Sequence, residues 1–465
     1  MTGQKTPVAL GTESIGRLLM QYAIPAIIAM TASSLYNMVD SIFIGQGVGT
    51  MAISGLALTF PLMNLSAAFG SLVGVGASTL ISVRLGQKDY DTAQRVLGNV
   101  FVLNILLGVV FMVVMLAFLD PVLYFFGGSD RTVSYARDYM QIILSGNIIT
   151  HLYLGLNAVL RASGHPKKAM YATVGTVIVN TILDPLFIYG FGWGIRGAAI
   201  ATVLAQLLAL AWQIKQFSNK DELLHFHRGI FRLKRKIVFD SLAIGMSPFL
   251  MNLAACFIVI LINQGLKRHG GDLAIGAYGI VNRLVFIVVM IVMGLNQGMQ
   301  PIAGYNFGAR QYERIGKVLK LTIIYATGVT TCGFLIGMLA PDVVVSIFTS
   351  DAELIGLSAK GLRIVVMFFP IIGFQMVTSN FFQSIGMAGK AIFLSLTRQM
   401  LILLPCLLIL PQFFGVEGVW YSMPVSDLLA SLIALMMLVA QFRKFKVAAA
   451  ERHQHPKRAV EASRE

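Results

Sequence analysis

Gly86-Gln87-Lys88-Asp89-Tyr90-Asp91, followed by Arg95-Val96-Leu97, returns in the same chain as Gly308-Ala309-Arg310-Gln311-Tyr312-Glu313, followed by Lys317-Val318-Leu319. The shift is 222 residues. Gly164 and Lys168 recur at that shift as Gly386 and Lys390, and Ala52-Ile53 recurs as Ala274-Ile275. Pro25, early in the first apolar run, has its counterpart in Pro248. A period of nearly half of 465 residues, kept from end to end, means two homologous halves.

Composition says where those halves sit. Hydrophobic residues make up 56% of the chain and charged residues 12%, against roughly 25% charged in an ordinary soluble domain. Many apolar stretches reach the ~20 residues a helix needs to cross a ~30 Å hydrocarbon core. The reading is an all-α polytopic membrane protein. Repeats of this size in such a sequence are the mark of secondary transporter folds.

Twelve spans are predicted, six per half. They are Leu18–Ile44, Ala52–Val83, Ala93–Leu119, Val133–Leu160, Ala169–Tyr189 and Gly197–Phe217, then Ile237–Leu266, Leu273–Tyr305, Ile315–Leu339, Leu354–Ser384, Ala391–Leu410 and Val416–Phe442. An even number in each half makes the repeats parallel, related by an axis near the membrane normal. The expected organisation is a first lobe at 1–217, a basic linker at 218–236, a second lobe at 237–442 and a tail at 443–465 that is polar and disordered after Phe445. Lys and Arg sit in every second loop, so both termini and the linker are expected on the cytoplasmic side of a bacterial plasma (inner) membrane. That placement also answers the net charge of +15: it marks topology, and nucleic acid is not expected as a partner. Phe226, Ile230, Phe231 and Leu233 give the linker enough apolar surface to lie on the membrane, although a plain charged loop is the simpler expectation.

Other signals carry no chemistry. Gly192-Trp193-Gly194-Ile195-Arg196-Gly197 has the glycine spacing of a dinucleotide loop but no strand before it. No GxxxxGK[ST] phosphate loop occurs, and no nucleophile–base set has catalytic context, so the chain does not read as an enzyme and no cofactor is expected. Cys256, Cys332 and Cys406 all fall in apolar runs and are expected to be buried thiols. The His225/His227 and His453/His455 pairs lie in polar segments, where metal binding is not expected.

Ionisable groups inside a bilayer are costly and mark a pathway or a pair. In the first half there are Asp40 in the first span and Asp184 in the fifth. Tyr36, Asn37 and Asp40 are spaced to share a face, as are Asn180 and Asp184, and Ala198 and Thr202. Asp40 lies about four residues from the outer end of its span, Asp184 about six and Thr202 about five, so at 1.5 Å per residue their depths agree within about 3 Å. Two carboxylates, an amide oxygen, a hydroxyl and the Ala198 carbonyl make a hard-oxygen set suited to a small alkali cation or a proton. Like charges in one low-dielectric pocket resist joint ionisation, so such a pair is expected to share a proton or hold a cation. Pro25 lies one helical stretch below Asp40 and is a candidate hinge. In the second half Arg398 and Asp427 fall on neighbouring spans and are expected to form a structural ion pair, with an anion site as the alternative. Arg283 has no evident acidic partner.

Tyr36-Asn37-Met38-Val39-Asp40 with Phe43-Ile44-Gly45, the Gly86-Gln87 loop, Arg161-Ala162-Ser163-Gly164, Asn180 with Asp184-Pro185, and Gly197-Ala198-Ala199 resemble the multidrug and toxic compound extrusion (MATE) transporters, and most of all their DinF-like and MepA-like bacterial branch. The resemblance spans roughly Leu18 to Phe442. It implies two six-helix lobes in a V, and export of organic cations and other amphipathic small molecules in exchange for Na⁺ or H⁺. Carried over residue by residue, it puts the coupling site on Asp40, Asn180, Asp184, Thr202 and the Ala198 carbonyl. It adds Tyr139 and Asn157 as polar residues lining the same lobe, beside Tyr36 and Asn37 as cavity candidates, and it matches Pro25 to a bending proline. The second lobe departs from relatives that carry carboxylates in spans seven and ten: here those spans show Asn252, Asn263, Gln264, Gln375 and Asn380. Coupling is therefore expected in the first lobe. A lipid-linked precursor flippase is the alternative within the same superfamily, but it favours a cationic cavity where this lobe is acidic. A single chain in the bilayer is expected to suffice.

Overall fold

Apolar runs with few internal breakers leave the backbone no partner but itself, and in hydrocarbon that dictates helices. The computed structural model describes residues 9–454. Its membrane helices are α1 (Ile15–Gly47), α2 (Thr50–Gly86), α3 (Tyr90–Ala117), a bent α4 (Asp130–Ser145 with Asn147–Ala162), α5 (Pro166–Gly190), α6 (Gly194–Phe217), α7 (Arg235–Gly271), α8 (Leu273–Gly308), α9 (Tyr312–Leu339), α10 (Ala352–Ser384), α11 (Ala388–Phe414) and α12 (Val416–Gln454). Among the described residues eleven are long and apolar enough to cross a membrane, and the two parts of α4, bent by 56° at Gly146, count as the twelfth. A side chain at 146 would strike Val203 of α6 at 2.6 Å, so the glycine lets the bend approach α6.

The sequence repeat is also a repeat of backbone conformation. Lys88 and Arg310, 222 residues apart, both turn left-handed (φ 62 and 57), as do Gly164 and Gly386 (φ 95 and 77). Short helices Leu119–Phe125 and Pro341–Ser346 follow the third span of each half. The polar contact between Asn157 of α4 and Thr173 of α5 (3.2 Å) has its counterpart between Ser379 of α10 and Ser395 of α11 (3.2 Å). Asp89 caps α3 by accepting from the Thr92 amide at 3.1 Å.

The two lobes meet through glycine. A Cβ on Gly86 would lie 1.9 Å from the Tyr305 carbonyl oxygen, and one on Gly308 would lie 1.9 Å from that of Val83. Tyr305 and Val83 are themselves one repeat apart. Gly76 of α2 presses on the Ser241 carbonyl of α7 and Gly245 of α7 on the Leu72 carbonyl of α2, each leaving 1.7 Å for an added carbon. Gly294 and Gly298 of α8 pack on Ile27 and Ala23 of α1 in the same way. All these crossings lie towards the basic face of the molecule. Further out, Gly276, Gly279, Arg283, Phe286 and Ile287 of α8 are exposed, so the lobes part on the opposite side.

Two expectations change, and the linker, expected as a plain charged loop, gains partners. Asn99 donates to the Arg232 carbonyl at 3.2 Å and accepts from the Lys234 amide at 3.0 Å, and Gln94 exchanges hydrogen bonds with the His225 backbone. Phe226 packs among Phe101, Phe217 and Phe231. The linker is thus strapped to the end of the first lobe. The cysteines are free but none is buried: Cys256 and Cys406 are half-buried and Cys332 is exposed, because apolar helices here turn much of their surface to lipid. The tail from 443 begins as helix, since α12 runs on to Gln454; its last stretch, 455–465, lies outside the described residues.

Candidate cation site

Tyr36 and Asp40 are one turn apart on α1 and face inward, as do Asn180 and Asp184 on α5 and Ala198 and Thr202 on α6. The structure brings these six together. Asp40 is 6% exposed, Asp184 0%, Asn180 1% and Thr202 8%. The Asn180 amide nitrogen donates to Tyr36 Oη at 2.8 Å and spans both oxygens of Asp184 at 3.2 Å. Tyr36 Oη lies 2.9 Å from Thr202 Oγ1, which donates to the Ala198 carbonyl at 3.1 Å. Thr202 has one hydroxyl proton and spends it on that carbonyl, so Tyr36 donates to Thr202. The chain of donors therefore runs one way, from Asn180 through Tyr36 and Thr202 to Ala198. Tyr139, fully buried, reaches Thr202 from α4.

Asp40 and Asp184 lie within hydrogen-bonding reach of each other. At an effective dielectric of ~20, two full negative charges about 4 Å apart repel by about 4 kcal/mol, so a counter-charge is needed between them. Two acceptors are open for it: Asp40 Oδ1 and Asn180 Oδ1 are buried and have no donor. Both open atoms are acceptors, which fits a proton or a desolvated alkali cation and does not fit an anion.

The other candidate residues lie outside this group. Asn37 is exposed, because a residue next to Tyr36 on a helix turns about 100° away from it. Asn157 bonds the Ala169 carbonyl at 3.0 Å and Thr173, and accepts from Arg161; it ties α4 to α5 about 10 Å nearer the basic face than Asn180. Pro25 is buried within a continuous α1, between Ala23 and Ile27, the two residues on which α8 packs. Arg398 Nε bonds Asp427 Oδ1 at 2.6 Å, with Asp427 fully buried and Arg398 on a π-helical turn of α11. Sequence reasoning missed a second polar group in the first lobe. Ser66 of α2 donates to Asn147 of α4, and His151 and Asn104 are wholly buried beside them. The Asn147/His151 spacing of one turn inside an apolar span was the signal available.

Two lobes of six helices related by a repeat, parting on their outer side and with an unpaired acidic cluster buried in the first, have the build of a membrane transporter and not of an enzyme. The family model MatE matches residues 25–186 and 244–408, one stretch in each half. The chain belongs to the MATE family. It is 28% identical over 425 residues to "Multidrug export protein MepA" of Staphylococcus haemolyticus (strain JCSC1435), covering 91% of this chain and 93% of that protein. It is likewise 28% identical over 426 residues to the MepA of Staphylococcus aureus (strain MSSA476). Among solved structures, "Crystal structure of MATE in the bent conformation" superposes with a TM-score of 0.91 at 25% identity, covering 97% of this chain and all of that one. "Outward-facing conformation of a multidrug resistance MATE family transporter of the MOP superfamily" gives 0.89 at 25% identity over 96% of this chain. The fold and family are those of multidrug-export transporters.

Proposed function

We propose that this protein exports amphipathic, often cationic, small molecules across a bacterial plasma (inner) membrane in exchange for Na⁺ or H⁺, and that the exchange is coupled at Asp40, Asn180, Asp184, Thr202 and the Ala198 carbonyl. The observation that carries the reading is the meeting of two carboxyl groups, from α1 and α5, in a buried pocket with two unfilled acceptor oxygens. An acidic pair of this kind holds the coupling ion or the cargo's positive charge, and holding both at once is disfavoured by their mutual repulsion. That competition is the physical basis of exchange. The lobes at 1–217 and 237–442 move against each other about the glycine contacts, with Pro25 as a hinge between the two α8 contacts on α1. The basic face, including the linker, the start of the chain and the tail, is cytoplasmic. The export name of the MepA relatives supports the direction of transport. The acidic first lobe weighs against a flippase of anionic lipid-linked precursors.

The test is dye efflux from cells and proteoliposomes with and without Asp40→Asn. The reading expects the variant to lose efflux that depends on a Na⁺ or proton gradient. Efflux equal to the parent's removes Asp40 from coupling.

A further inference from the structure

The second lobe has a charge that faces the first. Arg283 lies on α8 about ten residues, or 15 Å, inside the outer end of that helix. It is exposed, and it makes no hydrogen bond or ion pair among the described residues. Arg398 of α11 differs: Asp427 already neutralises it at 2.6 Å.

Helical register shows which way Arg283 points. Arg283, Ile287, Met290, Gly294 and Gly298 follow an i, i+4, i+7, i+11, i+15 pattern and form one stripe. The two glycines of that stripe pack on Ile27 and Ala23 of α1. Arg283 is therefore on the face of α8 that closes against the first lobe towards the basic side and is uncovered where the lobes part. The same contacts fix its depth. Gly298 lies against residue 23 and Gly294 against residue 27, so Arg283 is level with residue 38, within one turn of Asp40. A lone guanidinium at that depth is costly unless it faces water and a ligand. Its planar fork of donors fits a carboxylate, sulfonate or phosphate.

We propose that Arg283 receives the anionic group of zwitterionic amphipathic substrates whose cationic end is drawn to the acidic first lobe. The inference rests on the antiport reading above and names a substrate class for it. The first lobe holds buried negative charge at the level of Asp40 and Asp184, and the second lobe turns the positive charge of Arg283 towards it at that level. A zwitterion satisfies both lobes, whereas a simple cation satisfies one.

The probes are rhodamine 6G, an ethyl ester with a single positive charge, and rhodamine 19, the corresponding free acid, which adds a carboxylate to the same rings. Uptake of each is measured in proteoliposomes, and binding to the purified full-length protein is measured by fluorescence anisotropy. The expected result for Arg283→Gln is a rise of about tenfold in the KM and Kd of rhodamine 19 relative to those of rhodamine 6G, equivalent to about 1.4 kcal/mol. Arg283→Lys, which keeps the charge, restores most of that ratio. A ratio within twofold of the parent's in Arg283→Gln overturns the proposal. An anionic lipid headgroup shares the chemistry of the carboxylate, so the series is run with and without phosphatidylglycerol. A defect confined to phosphatidylglycerol vesicles and equal for both dyes assigns Arg283 to lipid and overturns the proposal. If the parent protein shows no ion-driven uptake of either dye, the antiport reading fails, and the anisotropy ratio still decides Arg283. Should Arg283→Gln fail to insert, Arg283→Met is read by the same ratio.

Discussion

Tyr36→Phe removes one oxygen from the centre of the candidate site. That oxygen accepts from Asn180 at 2.8 Å and meets Thr202 at 2.9 Å, and these are the bonds that join the α5 side of the pocket to the α6 side. Asn180 keeps its hold on both oxygens of Asp184, and Thr202 keeps the Ala198 carbonyl, so neither is stranded. Hydrogen bonds between membrane helices average about 0.6 kcal/mol, so two lost bonds cost about 1 kcal/mol of stability and the protein still folds. The ion pays more, because Asn180 and Thr202 are no longer held at a fixed spacing. A loss of about 1.4 kcal/mol in site order corresponds to tenfold in ion affinity. The assay is dye uptake in proteoliposomes as a function of internal Na⁺ or proton concentration. The expected result is a half-saturating ion concentration about tenfold higher, with near-parental dye transport once the ion saturates. An unchanged half-saturation with normal protein levels refutes the idea that Tyr36 bridges a cation site.

Asp184→Ala is expected to abolish ion-driven transport while leaving membrane insertion intact, since the apolar length of α5 is unchanged; efflux assays together with membrane-fraction blots check both halves. Thr202→Ala is expected to weaken Na⁺-driven uptake more than proton-driven uptake if Na⁺ is the ion held, because a proton needs only a carboxylate; equal loss under the two gradients counts against Thr202 as a sodium ligand. Gly245→Ala puts a carbon 1.7 Å from the Leu72 carbonyl, and overpacking of this kind costs about 1–3 kcal/mol. The cost falls on the arrangement in which the basic ends of the lobes are closed, so deuterium exchange in residues 72–86 and 238–250 is expected to rise by about fivefold or more; unchanged exchange denies that this seam is tight.

The repeat at Gly86 and Gly308 made the two-lobe fold legible because it marks a backbone requirement: the same close crossing and the same left-handed turn are needed in both halves. The meeting of α1, α5 and α6 was legible from depth alone, since helical rise converts residue number into height. Facing was harder to read. Tyr36, Asn37 and Asp40 sit within one turn, yet Asn37 points away, because three positions within five residues span more than one face. The resemblance names Asn157 only as a polar residue lining the first lobe, and its role in tying α4 to α5 depends on Ala169 and Thr173, which the sequence pattern does not pair with it. The bend at Gly146 and the strapping of the linker by Gln94 and Asn99 were not legible, because both depend on partners more than 50 residues distant. The same holds for the Ser66, Asn104, Asn147 and His151 cluster, whose members come from three helices.

Uphill dye accumulation in proteoliposomes, with a Na⁺ gradient and a pH gradient imposed separately, compares the parent with Asp40→Asn most directly. The parent is expected to concentrate dye under at least one gradient, and the variant, left with a single carboxylate, under neither. Accumulation by the variant matching the parent's would contradict the assignment of coupling to the acidic pair.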